Sequence, residues 1–452
     1  MSPVAPAVVC VDFGSTFTKA ALVDLDEARI VAAAAHPTTV ATDVLEGYAA
    51  CLAALREQDP RAGEAEVLAC SSAGGGLRIA VVGNEELVTA EAGRRVALSS
   101  GGKVVLVSSG GLDDEKLAEL SAARPDVLLL VGGTDGGNAE VLEHDARALA
   151  RDGWDKPVVV AGNVDSQAAV AGALGGAGTP YVLADNVVPR IGVLAPDSAR
   201  AAIRAMFLSH VIGGKHLSEG TAFVEMVRGA TPDVVLTGVE LLARGAGDVV
   251  VVDGGGATTD VHSVVEVDPE TGDLDHRGLS REVVAVTPVT RTVEGDLGMR
   301  WSAVSTVEAA GLDLVEAARA RHDDPGLLPT TDEARDDDEA IAAAAVGLAL
   351  RRHAGRSRVV VGPDGRVVER TGKDLREVDL LVGSGGVLRH GRDGVAERVL
   401  TDSTGETDGG WQLPRAPRVV VDRDYLLAAA GLLAGPHPRT AYRLVMRLTE
   451  AG

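Results

Sequence analysis

The chain has 452 residues, a formal charge of −23, 46% hydrophobic residues and only 2% aromatic ones. The apolar content supports packed cores and excludes wholesale disorder. The acidic balance offers no basic surface to displace counterions from phosphates, and base-stacking aromatics are scarce, so nucleic acid is excluded as a partner and anionic membranes are disfavoured.

At roughly 100–200 residues per domain the length predicts two to four domains. The N-terminus, MSPVAPAVVCVDFG, has no basic region and reaches an acid at Asp12, so no signal peptide is expected. Runs at 8–11, 19–24 and 30–35 predict three strands joined by short turns, an antiparallel meander. Cys10, Cys51 and Cys70 are odd in number and lack metal-ligand spacing, so they predict buried thiols in a reducing compartment. The turn at 71–76 (SSAGGG) is a weak phosphate cradle, a hinge or a connection between lobes.

Between 104 and 210 the pattern changes. Apolar runs at 104–107, 127–131 and 158–161 alternate with helical segments at 113–124, 139–151 and 197–210. Near-continuous apolar runs are strands buried on both faces, so this stretch predicts an inserted doubly wound α/β domain. Gly132, Gly133, Gly136 and Gly137 surround Asp135 after one such strand, and Asn163 ends the next. Ligands sit at the carboxyl ends of such strands. The loop therefore reads as a second ligand site, a docking loop or a plain turn. The stretch 166–184 is uncharged but broken by Gly172, Gly175, Gly176, Gly178 and Pro180, a poor membrane span. A soluble, cytoplasmic protein is expected. Gly213 and Gly214, before Lys215, fit a helix C-cap.

From 249 the first pattern returns: a Val run at 249–252, a Gly-rich turn, a strand at 261–267 and a turn at 269–273. The acid-rich stretch 323–338 predicts a solvated loop, 340–352 a helix, and the turn at 362–364 a hairpin between 359–361 and 367–368. A buried strand at 380–382 and a small-residue helix at 425–434 follow. Within that helix Ala429, Ala430 and Gly431 would permit close contact between helices.

The chemistry lies in two matched turns. Asp12-Phe13-Gly14-Ser15-Thr16-Phe17-Thr18 and Asp253-Gly254-Gly255-Gly256-Ala257-Thr258-Thr259 each carry Asp, Gly two residues later and Thr six later. Gly14, Gly254, Gly255 and Gly256 let backbone N–H groups close on phosphate oxygens. Ser15, Thr16, Thr18, Thr258 and Thr259 add hydroxyl donors. Lys19 offsets phosphate charge. Asp12 and Asp253, at strand ends, would face one another and hold Mg²⁺ mostly through water. A third element, Gly383-Ser384-Gly385-Gly386 after a strand, would let an adenine and its ribose lie against the backbone. Together these predict ATP or ADP with Mg²⁺. No GxxxxGK[ST] or GxGxxG motif competes. Glu294 and Asp296, in a Gly-flanked loop, are candidates to orient a hydrolytic water, or else a charged surface turn.

The three motifs and their order resemble the actin, sugar kinase and heat-shock-chaperone ATPase superfamily. The resemblance implies a two-lobed actin-like α/β fold with mixed sheets. The first lobe would be 1–98, with C-terminal helices 422–452 returning to it; the inserted domain would be 99–215 and the second lobe 216–421. The segments DFGSTFTK, CSSAGGGLR, GGTDGGNAE, VAGN, DNVVP, DGGGATTD, EGDLGMR and GSGGVL more closely resemble the MutL/GlmL family, accessory proteins of adenosylcobalamin-dependent aminomutases such as glutamate mutase. This resemblance implies an ATPase and chaperone that maintains or reactivates such a mutase, a mutase subunit being its partner. A small-molecule kinase of the superfamily and an actin-like scaffold are the alternatives. The cobalamin-carrier motif DxHxxG is not met, since Val265 takes the glycine position after His262, which is read as a sheet residue.

Overall fold

The computed structural model describes residues 6–73, 77–211, 217–218, 221–266, 288–362, 365–405 and 409–450. Two five-stranded sheets repeat one topology. In the first, β1 (Ala7–Phe13), β2 (Phe17–Asp24) and β3 (Arg29–Pro37) form an antiparallel meander. Two strands extend it beyond β1, both parallel to their neighbours: β4 (Glu66–Ser71), then β10 (Val227–Ala230). In the second, β11 (Val249–Gly254), β12 (Thr259–Val264) and β13 (Val289–Glu294) form the meander, and β16 (Leu380–Gly385) and β17 (Arg418–Val421) the parallel extension. The central strands are valine runs: Val8, Val9 and Val11 in β1 and Val249–Val252 in β11 are all buried. Branched side chains pack well on such pleated, covered surfaces.

The third sheet is wholly parallel: β5 (Leu77–Gly83), β6 (Gly102–Ser109), β7 (Val127–Leu130), β8 (Val158–Val160) and β9 (Tyr181–Leu183), in the order β6-β5-β7-β8-β9. Helices α3 (Asp114–Ala122), α4 (Glu140–Asp152) and α5 (Gln167–Gly176) cover one face. Helices α2 (Glu91–Ser99) and α6 (Asp197–Met206) cover the other. This is the doubly wound layer the sequence predicts. Its first strand and helix, β5 and α2, precede the expected boundary at 99. The α2/α6 face shares one core with the first lobe, where Phe13 and Phe223 meet edge to face at 4.9 Å.

The segment 197–210 is not one regular helix: α6 ends at Met206 and continues as a wider π turn, Phe207–Val211. The acid-rich stretch 323–338 departs further from its predicted loop. Helix α8 (Asp332–His353) begins within it, capped by Thr331. Acidic residues in a first turn suit the helix dipole. The deeper acids have partners: Arg321 Nε donates to Asp338 Oδ1 at 2.5 Å, and Asp338 is 4% exposed. The hairpin is formed by β14 (Arg356–Gly362) and β15 (Gly365–Thr371). Gly74–Gly76, Gly213–Lys215, the turn 269–273 and Pro363–Asp364 lie outside the described residues. All three cysteines are buried free thiols, in keeping with their spacing.

Helices α7 (Thr231–Ala246) and α9 (Leu426–Leu433) lie between the two repeated sheets, in a core that takes Cys10 and Leu68 from one and Val251 and Val382 from the other. Glycine sets their closeness. A Cβ on Gly431 would lie 2.0 Å from the Val234 carbonyl oxygen, and one on Gly238 2.2 Å from that of Leu427. Helix α10 (Pro438–Met446) then returns to the first lobe, where Thr440 Oγ1 donates to the Leu25 carbonyl at 3.0 Å. No helix among the described residues is long and apolar enough to cross a membrane.

Candidate functional site

The two matched turns are the same structure. Gly14 N–H donates to the Phe17 carbonyl at 3.1 Å, and Gly255 N–H to the Thr258 carbonyl at 2.9 Å. A Cβ on either glycine would stand 2.6 or 2.8 Å from that same oxygen, so a side chain would force the turn open. The loops meet: a Cβ on Gly256 would lie 3.1 Å from Thr16 Oγ1. Ser15 is exposed, and Thr16, Gly254 and Thr258 are half-buried.

Side chains alternate along a strand, and cross-strand partners share a face. Asp12 pairs with Lys19, and Asp253 with Asp260. Thr18 and Thr259 therefore fall on the opposite faces, and both are fully buried. Thr18 Oγ1 lies 3.2 Å from Thr38 Oγ1, which donates to the Gly14 carbonyl at 2.9 Å. Thr18 thus braces its turn from beneath.

Asp12 is held from several sides. Lys19 Nζ lies 3.7 Å from its Oδ2, and Thr231, the first residue of α7, donates to its Oδ1 at 2.7 Å. Burial acts to lower the Lys19 pKa, but Asp12, Tyr425 and Asp253 more than offset this, and it lies above the usual lysine value. Desolvation pushes the Asp253 carboxyl up to about 6; Lys19 opposes the rise, while Asp260 and Asp12 add to it. The two carboxylates thus sense one another, and both act on Lys19. The lysine also lies over the Tyr425 ring, 4.1 Å from its centroid, and Arg389 approaches the same ring at 3.2 Å. A pocket of about 200 Å³ opens here, lined by Asp12, Lys19, Arg389, Tyr425 and a floor of alanines from β2 and β3.

Tyr425 takes φ +58°, a left-handed conformation rare for an aromatic residue. It precedes α9 rather than belonging to the predicted helix 425–434. Buried Asp422 holds the bend by accepting from the N–H groups of Leu426 and Leu427 at 2.8 and 3.1 Å.

The third glycine turn lies beside the second matched turn. Ser384 is the strand partner of Asp253 and helps to lower its pKa. Gly385 has φ +108°, and a Cβ there would stand 2.3 Å from the Gly254 carbonyl oxygen. Gly386 is exposed with nothing near it, whereas Gly383 is packed beneath Leu388 and Leu400. The EGDLGMR segment scaffolds the second loop: Met299 and Arg300 N–H groups donate to the Gly255 and Gly256 carbonyls at 3.0 and 2.8 Å. Glu294 and Asp296 are both ion-paired to Arg352, each at 2.7 Å, which holds Asp296 below the usual carboxylate range. His262 is buried in β12, and burial drives its pKa far down.

Thr231, Arg389 and Tyr425 are site residues that the motifs do not reveal. Thr231 does carry a faint signal, a Thr-Pro pair opening a helical stretch.

The description "MutL protein" belongs to a family model that matches residues 8–448. "Protein MutL" of Clostridium tetanomorphum is 36% identical over 461 aligned residues, covering 98% of each chain. Among solved structures, a nucleotide-free diol dehydratase-reactivating factor has 12% identity and a TM-score of 0.37, over 96% of this chain and all of that one. The activator of the 2-hydroxyisocaproyl-CoA dehydratase from Clostridium difficile, with bound ADPNP, has 10% identity and a TM-score of 0.32, over 98% of this chain and 96% of that one. With the family model spanning almost the whole chain and a relative of this identity along its full length, the chain belongs to the MutL protein family.

Proposed function

We propose that this chain is a cytoplasmic ATP-binding and ATP-hydrolysing accessory protein that maintains or reactivates a glutamate mutase-like, adenosylcobalamin-dependent aminomutase by nucleotide-driven lobe motion. The observation that carries the reading is the pairing of two matched glycine turns, with Gly256 against Thr16 and with Asp12 and Asp253 both acting on Lys19. Exposed backbone, Ser15, Thr16 and Thr258 would take the phosphates. Gly385 and Gly386 would take the adenosine.

The residues fit Mg²⁺ of the water-rich kind. Asp253 carries a carboxyl whose pKa is raised first by desolvation and then by the nearby Asp260 and Asp12, against the pull of Lys19, so a cation beside it would be favoured. Among the described residues no cluster of three acids, histidines or cysteines could cage a bare ion. Mg²⁺ typically keeps several waters and takes one or two carboxylates plus phosphates. Asp12 and Asp253 would supply those carboxylates, and the ion when bound would neutralise phosphate charge. Asp12 is oriented by Thr231 and Lys19. Glu294 and Asp296 would act on water only after release from Arg352.

Helices α7 and α9 start at this cleft and run between the lobes, so closure on nucleotide is felt through both. Work on a partner needs the partner to prefer one closure, at ~1.4 kcal/mol per tenfold preference. The test mixes the protein with cyanocobalamin-inactivated glutamate mutase, free adenosylcobalamin and Mg·ATP. Recovered activity with release of cyanocobalamin supports the reading. No recovery and no release sinks it. ADP formation that depends on an added sugar or acid would instead favour a small-molecule kinase, and ATP-dependent sedimentation an actin-like scaffold.

A further inference from the structure

Three of the motifs lie outside the nucleotide cleft, and the inserted sheet gathers them onto one edge. Its strands are all parallel, so they end at the same edge. The GGTDGG turn follows β7, Asn163 follows β8, and DNVVP follows β9. Asn186 Nδ2 donates to the Gly133 carbonyl at 3.0 Å and to Asp135 Oδ1 at 2.8 Å. The Val164 N–H donates to the same Oδ1 at 3.2 Å, and the Asp135 N–H to the Pro189 carbonyl at 3.2 Å. These bonds make one braced platform of three loops.

The platform presents apolar side chains. Leu87 follows β5 and is 69% exposed; Ile191 follows β9 and is 75% exposed. Val164, Leu183 and Val193 stand along the same edge, each 40% exposed. They are five of the eleven exposed large apolar residues among the described ones, and all five fall at the strand ends of this one layer. Its rim is acidic: Glu85, Glu86, Asp135, Asp165 and Asp185 are exposed in these loops, where Arg190 is the one exposed cation among the described residues.

We infer that the carboxyl edge of the inserted sheet is a protein-docking face, whose occupant presents an apolar centre ringed by Lys and Arg. Resting on the function proposed above, that occupant is the mutase. The apolar centre supplies affinity, and the acidic rim supplies orientation and association rate. A second copy is the wrong partner, because a two-fold contact would set the acidic rim against itself. An anionic membrane would be repelled for the same reason.

The test uses the full chain and purified glutamate mutase immobilised for biolayer interferometry, in Mg·ATP and in Mg·ADP. Leu87→Asp and Ile191→Asp replace exposed side chains, so circular dichroism and ATPase activity serve as unchanged controls. Each should raise Kd at least tenfold, and Glu86→Lys with Asp185→Lys should slow association several-fold at low salt. Wild-type affinity in both aspartate variants overturns the docking face and leaves the proposed function standing. Failure of the wild type to bind overturns both. A wild-type dimer that Ile191→Asp dissociates in light scattering, or wild-type binding to phosphatidylserine vesicles, also overturns the inference.

Discussion

Arg291 ties the second lobe to the inserted layer by donating, from Nη1, to the Leu98 carbonyl at 3.3 Å. Its other two nitrogens reach Asp260 Oδ1 at 3.1 and 2.5 Å. Asp260 in turn accepts from the Thr258 hydroxyl at 3.2 Å on its second oxygen. A hydroxyl of the second matched turn, the strand neighbour of Asp253 and the end of α2 are therefore joined through one buried guanidinium.

Removing Arg291 should be costly. It is 3% exposed, and breaking a buried pair on one side leaves an uncompensated carboxylate, at about 3–5 kcal/mol. Arg291→Met should lower stability by that order in urea denaturation, and adding Asp260→Leu should recover part of it. The single variant should also expose the α2 region to proteolysis. A loss below about 1 kcal/mol, with α2 still protected, would show the link to be incidental.

Asp253 gives a pH prediction. Its carboxyl titrates at about 6 in the folded chain, against ~4 unfolded. Between those values the folded state keeps a proton that the unfolded state has lost. Stability from this group thus falls as pH rises from ~4 to ~6, by up to about 3 kcal/mol, and stays lower above. Asp253→Asn should lack that slope, so the difference between wild type and variant isolates it. Mg²⁺ with ADP should move the wild-type slope to lower pH. An identical pH profile for the two proteins would remove the assigned burial cost.

The repeated turns are legible because both the strands and the bends are chemically demanding. The valine runs suit only covered strands, and Gly14 and Gly255 stand where any Cβ meets a carbonyl three residues on. The inserted layer is legible for the same reason, although β5 is hidden behind the glycines that precede it. Asp338 misleads, because an acid-rich stretch reads as solvated until Arg321 arrives to pair with it. Arg389 and Tyr425 have no local signature at all, and Thr231 has only the Thr-Pro pair that opens its helix. Thr231 and Asp12 are 219 residues apart in sequence, and only the packing of α7 between the sheets brings them together.

The third glycine turn separates two adjacent glycines. Gly385→Ala would need φ +108° and a Cβ 2.3 Å from the Gly254 oxygen, whereas Gly386 has open space. Gly385→Ala should therefore cost about 2 kcal/mol or more and abolish binding of a fluorescent ATP analogue. Gly386→Ala should leave the melting temperature within a few degrees of wild type. Equal behaviour of the two variants would mean that β11 and β16 can move apart at no cost.

Thr231 offers the sharpest probe of the cleft, because its hydroxyl can be deleted almost without changing shape. Its bond to Asp12 is charge-assisted, of a kind that contributes about 1.5–3 kcal/mol. Thr231→Val leaves α7 and its packing intact but frees the carboxylate to rotate toward Lys19, 3.7 Å away. ATP hydrolysis should fall about tenfold or more, and half-maximal activity should require more Mg²⁺. Thr231→Ser restores the donor and should recover most of the rate. Asp12→Ala should abolish hydrolysis outright. If Thr231→Val hydrolyses ATP at the wild-type rate with the same Mg²⁺ dependence, Asp12 is not the carboxylate that the metal needs.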